Sequence, residues 1–319
     1  MATVPLNSGL GGATQTPTMA PEFKTYYQRN MLQNFRENLA HQTFGKKVRM
    51  PKGGGLTMEW RQVTPLADVT TPLVEGVTPD GQSFEVTATT VTLNQYGAYI
   101  KGTDVVQVVA FDDLLDNIST EQGAQAGESI DVVTREALNA GTVVQYAGGN
   151  VSRITVAAGD ILNTEELIRA RATLFANKAK PTNGQFFGSI IGPLTHADLM
   201  RDTAANAAFN AGDHRSELYE GEIGRYLGIT FTLTNLAKEW AGAGAGGINV
   251  YSTLIFGRDA YAVLDLASLG LEYIFHPKGS AGSADPLNQF WTNGWKTTHA
   301  VKILREQSML RIEHAVTNG

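Results

Sequence analysis

From Pro21 to about Gln42, apolar residues recur every four positions at Phe23, Tyr27, Met31, Phe35 and Leu39. That spacing predicts a helix with one apolar stripe, stopped by Gly45. Further on the period drops to two. Leu56, Met58 and Trp60 alternate with Thr57, Glu59 and Arg61, as a strand with one exposed face requires. A returning strand is predicted over residues 83–100, where Phe84, Val86 and Ala88 alternate until the phase slips at Thr89 and Thr90, the mark of a bulge. Between the two strands, TPLADVTTPLVEGVTPDG carries Pro65, Pro72 and Pro79 and closes on Asp80-Gly81, a turn signal. Such a ribbon has too few apolar residues to cover both faces, and its open edges invite pairing with another chain. It is therefore expected to lie on a neighbouring subunit.

Asp112 or Asp113 is placed to cap a long helix that ends at Gly141, with Leu115, Ile118, Gln122, Ala126, Val133 and Ala137 on one face. At ~1.5 Å per residue it would run to about 40 Å. Gly123 and Gly127 each cost ~1 kcal/mol against Ala in a helix interior, so a helix pair broken there is the alternative. VSRITVAAG reads as a strand. NTEELIRARATLFANKAKP reads as a helix, with Asn163 and Glu166 at capping-box spacing, carboxylates in the first turn and Lys178 and Lys180 before Pro181. Strands FFGSIIG, ITFTLTN, VYSTLIFG and GLEYIFH alternate with the helical segments HADLMRD and DAYAVLDLA, suggesting a compact α+β unit over about Gly184–His276. WKTTHAVKILREQSMLRIEHAV adds two strands that return beside the long helix.

Composition narrows the function. The chain has 42% apolar and 18% charged residues, 34 glycines, a net charge of −6 and no cysteine. That excludes disulfides, thiolate zinc and a cysteine nucleophile, and it disfavours a sequence-reading nucleic-acid binder, although a mildly acidic wall can enclose DNA without gripping its phosphates. No apolar run approaches the roughly 20 residues that span a bilayer, so no membrane partner is expected. MATVPLNSGLGGATQTPTMAPEF lacks the pattern of an export signal and reads as a mobile arm of a cytoplasmic product.

Gly242, Gly244 and Gly247 match GxGxxG but follow a helical segment and lead into a strand, whereas a dinucleotide site needs strand, turn and helix, so no cofactor is expected. In LYEGEIGRYLGITFTLTN, Gly221, Gly224 and Gly228 also precede a strand and no lysine follows to reach a phosphate. A short helical turn released by its last glycine is the expectation. Glu220 and Glu222 resemble a glycosidase acid and base in type only; solvated charges, or a partner for Arg225 across a subunit boundary, fit better. The six histidines show no ligand spacing, and His196 and Asp198 do not share a helix face. Neither GxSxG nor GxxxxGK[ST] occurs, and no catalytic or metal site is predicted. The sequons at Asn117 and Asn150 are at chance level without an export signal.

VTPLADVTTPLVEGVTPDG, LNAGTVVQYAGGNVSR, YEGEIGRYLGITFTLTN and DPLNQFWTNGWKTTHAVKILREQSMLRIE, in this order, resemble the major capsid proteins of tailed bacteriophages, in particular the N4-like podovirus family, from Pro21 to about Glu313. The resemblance implies the α+β Hong-Kong-97-type capsid fold. Its parts would be an N-terminal arm and helix (1–50), an extended β-hairpin loop (51–100), a peripheral domain with a spine helix (101–183 and 277–319) and an axial domain (184–276). It further implies self-assembly into hexamers and pentamers of an icosahedral virion shell around double-stranded DNA, each loop overlapping the next subunit. A scaffolding protein, a portal and, as an option, a decoration protein would be the other partners. Trp60, Arg61, Phe84, Glu222 and Arg225 are the expected contacts between subunits, and the loop near Gly242 or the 205–216 segment would approach the capsomer axis. The fold's best-known member is cross-linked through a loop lysine. Here no lysine lies between Gly53 and Ile100, with Lys52 and Lys101 only at the base, so a non-covalent shell is expected. The short arm leaves no room for a fused scaffold, so a separate one is expected. An encapsulin-like compartment is the alternative within the fold; a carbohydrate-active enzyme using Glu220 and Glu222 and a secreted adhesin lie outside it.

Overall fold

The structure, a computed structural model, describes Met31, Phe35 and residues 39–50, 55–63, 66, 68–73, 75–104, 114–182, 184–203, 225–266, 270–280 and 285–317. In chain order the strands and helices are β1 (Lys46–Met50), β2 (Thr57–Val63), β3 (Val86–Thr92), β4 (Asn94–Thr103), α1 (Leu114–Asn139), β5 (Val144–Tyr146), α2 (Thr164–Ala176), β6 (Phe187–Ile191) and α3 (Pro193–Arg201). There follow β7 (Arg225–Tyr226), β8 (Ile229–Leu233), β9 (Glu239–Trp240), β10 (Val250–Phe256), β11 (Tyr261–Leu266), β12 (Glu272–His276), β13 (Phe290–Ile303) and β14 (Met309–His314).

They form two mixed sheets and a ribbon. The seven-stranded sheet runs β5-β14-β10-β6-β8-β7, with β9 also on β10. The five-stranded sheet runs β1-β11-β13-β12, with β4 also on β13. Both sheets draw strands from distant parts of the chain: β5 and β14 flank the strands of the first, and β11 lies parallel to β1 in the second. Helix α2 covers the seven-stranded sheet. Its buried Leu167, Ala170 and Leu174 fall at helical spacing and pack with Phe187, Ile255, Leu310 and Ile312 in one apolar core.

Helix α1 is a single helix of 26 residues that runs unbroken through Gly123 and Gly127. Its buried stripe passes through Ser119, Gln122, Gly123, Ala126, Gly127, Ile130, Asp131, Thr134 and Leu138. The predicted face was thus rotated: Val133 and Ala137 are only half-buried, because the helix turns small and polar residues towards the sheets. Those polar groups are spent on directional contacts. Nε2 of Gln122 donates to the Asn293 carbonyl at 2.8 Å, Thr134 Oγ1 lies 3.0 Å from His299 Nε2, and Trp295 Nε1 donates to Gln125 Oε1 at 3.2 Å. The Asp131 carboxylate accepts both from the His41 backbone N–H, at 2.8 Å, and from His41 Nδ1, at 2.6 Å. At the C-terminal end, Ser252 Oγ donates to Asn139 Oδ1 at 2.6 Å and Arg311 Nη1 donates to the carbonyls of Asn139 and Gly141. One helix is therefore bonded to both sheets.

DAYAVLDLA forms strand β11, not a helix; Tyr261, Ala262, Val263 and Leu264 are all buried, so no alternation marks it. VSRITVAAG is a surface segment with a 3-10 turn over Arg153–Thr155, and Val151 and Ile154 are exposed. The register from Thr57↔Thr92 to Val63↔Val86 is unbroken, so there is no bulge at Thr89 and Thr90. The returning strand breaks instead at Leu93, which is buried and moves the chain from β2 to β13. The turn in the ribbon falls at Glu75 and Gly76, not at Asp80-Gly81. Leu227 and Gly228 (φ 51° and 75°) turn the β7–β8 hairpin rather than end a helix; both central positions of such a turn need positive φ, which suits Gly228. A strand, β9, precedes the Gly242 loop where a helical segment was expected. At α2, Asn163 caps the Glu166 N–H at 3.0 Å, but the Glu166 carboxylate serves Gln145, Gly148 and Arg169 rather than reaching back. Of the first predicted helix, the described residues are Met31 and Phe35, both helical, and 39–42, which are not helical; the rest of it, like Asp112 and Asp113, lies outside the described residues.

Replacing Asp131 by Ala leaves two buried donors of His41 without an acceptor, and denaturant unfolding is expected to show a loss of about 3 kcal/mol. Asp131→Asn, which keeps one acceptor, loses less. His314 supplies a pH dependence. Its Nε2 lies 3.0 Å from Thr253 Oγ1, its Nδ1 2.8 Å from the Ala315 carbonyl, and burial pulls its pKa from 6.5 down to about 4. The unfolded chain then binds the extra proton first, so stability falls as pH drops from 6.5 towards about 4. The melting temperature of the wild type is expected to decline more steeply over that window than that of His314→Gln.

Candidate assembly interface

The ribbon of β2 and β3 is built on the five-stranded sheet. Its base is closed by the Leu93 N–H donating to the Leu56 carbonyl at 2.9 Å, and Met58, Trp60 and Val91 pack against buried Met50, Leu93, Leu264 and Ala300. The base is thus part of the chain's own core. Beyond it the character changes: every described residue from Leu66 to Ala88 is exposed, including Leu66, Val69, Leu73, Val77, Phe84 and Val86. An apolar row of this kind marks an interaction surface.

Where the ribbon leaves the body there is a cleft of about 600 Å³. Trp60, Arg61, Gln62, Val63 and Thr89 form its ribbon wall, and Lys46, Lys180, Arg258, Asp259 and Arg305 line the body side. The floor is the crossing between the two sheets, fixed by backbone bonds: Gly257 N–H to the Ser308 carbonyl and Arg258 N–H to that of Lys180, both 2.7 Å, and Leu304 and Arg305 N–H to that of Ala260, at 2.9 and 3.0 Å. Five cationic side chains face one carboxylate, Asp259, which lies 3.8 Å from Arg258 Nε. The cleft suits an anion. On the same sheet, a second, apolar groove of about 350 Å³ crosses β4, β13 and β12 beside exposed Tyr99.

The residues expected at subunit contacts do not share one environment. Trp60 is half-buried in the ribbon base, Arg61 is exposed and donates to Glu59 at 2.9 Å, and Phe84 is 67% exposed. Arg225 is exposed, with its guanidinium 4.7 Å from the centre of the Phe186 ring. Glu220, Glu222 and the 205–216 segment lie outside the described residues. Sequence reasoning missed the cleft because Lys46, Lys180, Arg258 and Arg305 stand on four segments that are far apart in the chain. The Gly242 loop packs inward at Gly244, against Ile248, Val250 and the Val156 carbonyl. Among the described residues no group of three or more His, Cys, Asp or Glu gathers to hold a metal, and no helix is long and apolar enough to cross a membrane.

A family model described as "Phage capsid protein" matches residues 86–312, from β3 through most of β14. The chain belongs to the phage capsid protein family. The fold agrees: the capsid of Ralstonia phage GP4 superposes with a TM-score of 0.69 at 13% identity, covering 99% of this chain and 98% of that one. The capsid subunit of cyanophage Pam1 gives 0.69 at 14% identity over 100% of both chains, and that of cyanophage P-SCSP1u gives 0.65 at 14% identity over 86% and 87%. None of the curated proteins matches in sequence. The fold is thus the α+β Hong-Kong-97-like capsid fold, and the protein is a major capsid protein that forms the icosahedral shell of a phage virion. Its family consists of structural proteins.

The two ends of the capsid protein's ribbon are expected to respond differently to truncation. Trp60→Ala removes a side chain packed in the chain's own core and lowers the melting temperature of the unassembled subunit, with a cost approaching ~3 kcal/mol. Phe84→Ala leaves that melting temperature unchanged and lowers the yield of shells in sedimentation.

Proposed function

We propose that this capsid protein closes its shell by laying the outer part of each ribbon over a neighbouring copy, in hexamers and pentamers that enclose double-stranded DNA. One observation carries this reading: the ribbon is exposed along its whole described outer length, apolar side chains included, although it is anchored firmly at its base. An uncovered two-stranded ribbon is marginal in water and gains stability when another chain covers it. On this reading Phe84 and Arg61 contact the next subunit directly, Trp60 sets the angle at which the ribbon leaves, and Glu222 and Arg225 meet a further copy. The net charge of −6 supports a wall that surrounds DNA without gripping it.

The ribbon carries no lysine from Gly53 to Ile100, which supports a shell held without covalent links. A separate scaffolding protein, a portal and a decoration protein are the proposed partners, assembly takes place in the bacterial cytoplasm, and the four long motifs support kinship with the N4-like group. Strand membership supports an axial unit built on the seven-stranded sheet, to which β5 and β14 contribute, and a peripheral unit built on α1 and the five-stranded sheet, to which β11 and β12 contribute. A compartment shell enclosing an enzyme has less support, because the matching family is one of phage capsid proteins.

Co-expression with the other head proteins followed by negative-stain imaging tests the proposal. Closed particles are expected, and after boiling their capsid protein should run on a denaturing gel as one band near 34.3 kDa. A high-molecular-weight ladder would overturn the non-covalent part. A monomer at high concentration whose ribbon resists protease would overturn the ribbon contact itself.

A further inference from the structure

The ribbon and the cleft carry opposite charge. From Val63 to Ile100 the chain holds Asp68, Glu75, Asp80 and Glu85 and neither lysine nor arginine. All four carboxylates are exposed. Asp68 alone has an ion-pair partner among the described residues, Lys178 at 3.7 Å, and with both side chains at about 85% exposure that pair is solvated. In the cleft, Lys46, Lys180, Arg61, Arg258 and Arg305 gather beside Asp259, which lies 3.8 Å from Arg258, while Arg61 pairs with Glu59 at 2.9 Å. Neither lysine makes an ion pair among the described residues, and backbone bonds under the cleft hold the segments that carry Lys180, Arg258 and Arg305.

We propose that this cationic cleft receives the acidic outer part of the ribbon of a second copy, so that the contact between neighbouring capsid subunits is electrostatic in character. The inference rests on the ribbon-over-neighbour reading above and names the surface that the ribbon meets. The occupant comes from another copy for two reasons. The ribbon's path within its own chain leaves its apolar side chains uncovered. Its outer segment, residues 64–85, also has about eleven residues out and eleven back, a reach of up to roughly 35 Å, long enough to take Glu75 and Asp80 to a neighbouring copy, and none of its described residues lines the cleft of its own chain. Seating this acidic outer segment against the cleft would place Phe84 and its apolar neighbours on the body of the next subunit at the same time. Opposite charges on the two surfaces also steer the encounter and disfavour like-on-like pairing of ribbons.

Particles assembled from a mixture of 14N- and 15N-labelled chains, treated with a carbodiimide that joins carboxylates to lysines at zero length, give the direct test. Peptides joining Glu75, Asp80 or Glu85 to Lys46 or Lys180 are expected, with mixed-isotope pairs as frequent as random mixing allows. Pairs of one isotope only would place the contact within a chain and overturn the proposal. Function is read by charge exchange. Lys180→Glu with Arg258→Glu is expected to cut the yield of sedimenting shells at least several-fold without moving the melting temperature of the free subunit. Adding Glu75→Lys, Asp80→Lys and Glu85→Lys to the same chain is expected to restore it. Wild-type shells should also dissociate more readily as salt rises from about 0.1 M to about 1 M, which shortens the Debye length from about 10 Å to about 3 Å. If wild-type shells form and the charge variants form equally well, this inference fails while the shell reading stands. If no shells form with any head proteins, both fail. Cleft variants that assemble normally but no longer retain a labelled DNA duplex bound by the wild type would assign the cleft to nucleic acid instead.

Discussion

Strand β13 is the element on which the other parts of this subunit depend. Over its 14 residues it pairs with β4 from Phe290↔Thr103 to His299↔Asn94, with β12 from Thr292 to Lys296, and with β11 from Ala300 to Ile303. The ribbon is therefore an outgrowth of a central strand pair rather than a loose loop. Because β4 is held over ten residues and Leu93 is buried, a shift of one residue would move its whole side-chain set to the other face. That constraint gives an otherwise exposed ribbon a defined point of departure.

The same strand meets α1 through a seam of small and polar residues. A seam of leucines would bury more area, but it would tolerate sliding; hydrogen bonds from Gln122 to Asn293, Thr134 to His299 and Trp295 to Gln125 hold only one alignment. The far end of α1 is tied to the seven-stranded sheet by Asn139 and Arg311. Beside it, Glu313 on β14 accepts from Arg153 at 2.6 and 2.8 Å, while Arg311 Nε lies 2.8 Å from the same carboxylate without hydrogen-bond geometry and contributes charge alone. Arg153 in turn stacks 3.7 Å from the centre of the Trp240 ring, which joins the surface segment after β5 to the hairpin of β9 and β10. Such buried charge networks add little net stability once desolvation is counted. Their consequence here is that the two sheets cannot change their relative position without breaking several directional contacts at once.

The legible parts of the sequence were those with a strong local period or a defined end. Helix α2 was readable from Asn163 to the end of its apolar stripe, and α1 from its length, even though the face it buries was misjudged because its buried residues are Ser, Gly, Gln and Asp rather than Leu. The half-exposed strand β2 alternated cleanly, with Met58, Trp60 and Gln62 more covered than their neighbours. Buried β11 did not, since a strand covered on both faces has the same apolar run as a core helix. Val151 and Ile154 misled in the opposite sense: they are apolar residues at the surface, where a pattern of hydrophobicity no longer reports burial. The cleft was invisible in principle, because a parallel pairing of residues 46–50 with 262–266 and a strand crossover assemble it from single cations that have no common spacing.

The contrast between a tightly determined body and an uncovered ribbon has a thermodynamic reading. Burying an exposed apolar side chain fully is worth about 1.5–3 kcal/mol, yet no single copy of this chain covers Leu66, Val69, Leu73, Val77, Phe84 or Val86. Folding therefore ends with a driving force unspent, which the proposed association would release. A subunit that kept the ribbon against its own body would satisfy those groups early and would lose the reason to associate. Under the contact proposed above, an outgrowth anchored on β13 and acidic along its outer length would make the contact heterologous, one copy's ribbon meeting another copy's body rather than its ribbon. Heterologous contacts close into rings when the rotation between copies allows it, so under that contact the direction in which the ribbon leaves the sheet, where Leu93 and Trp60 pack, would govern whether the assembly closes.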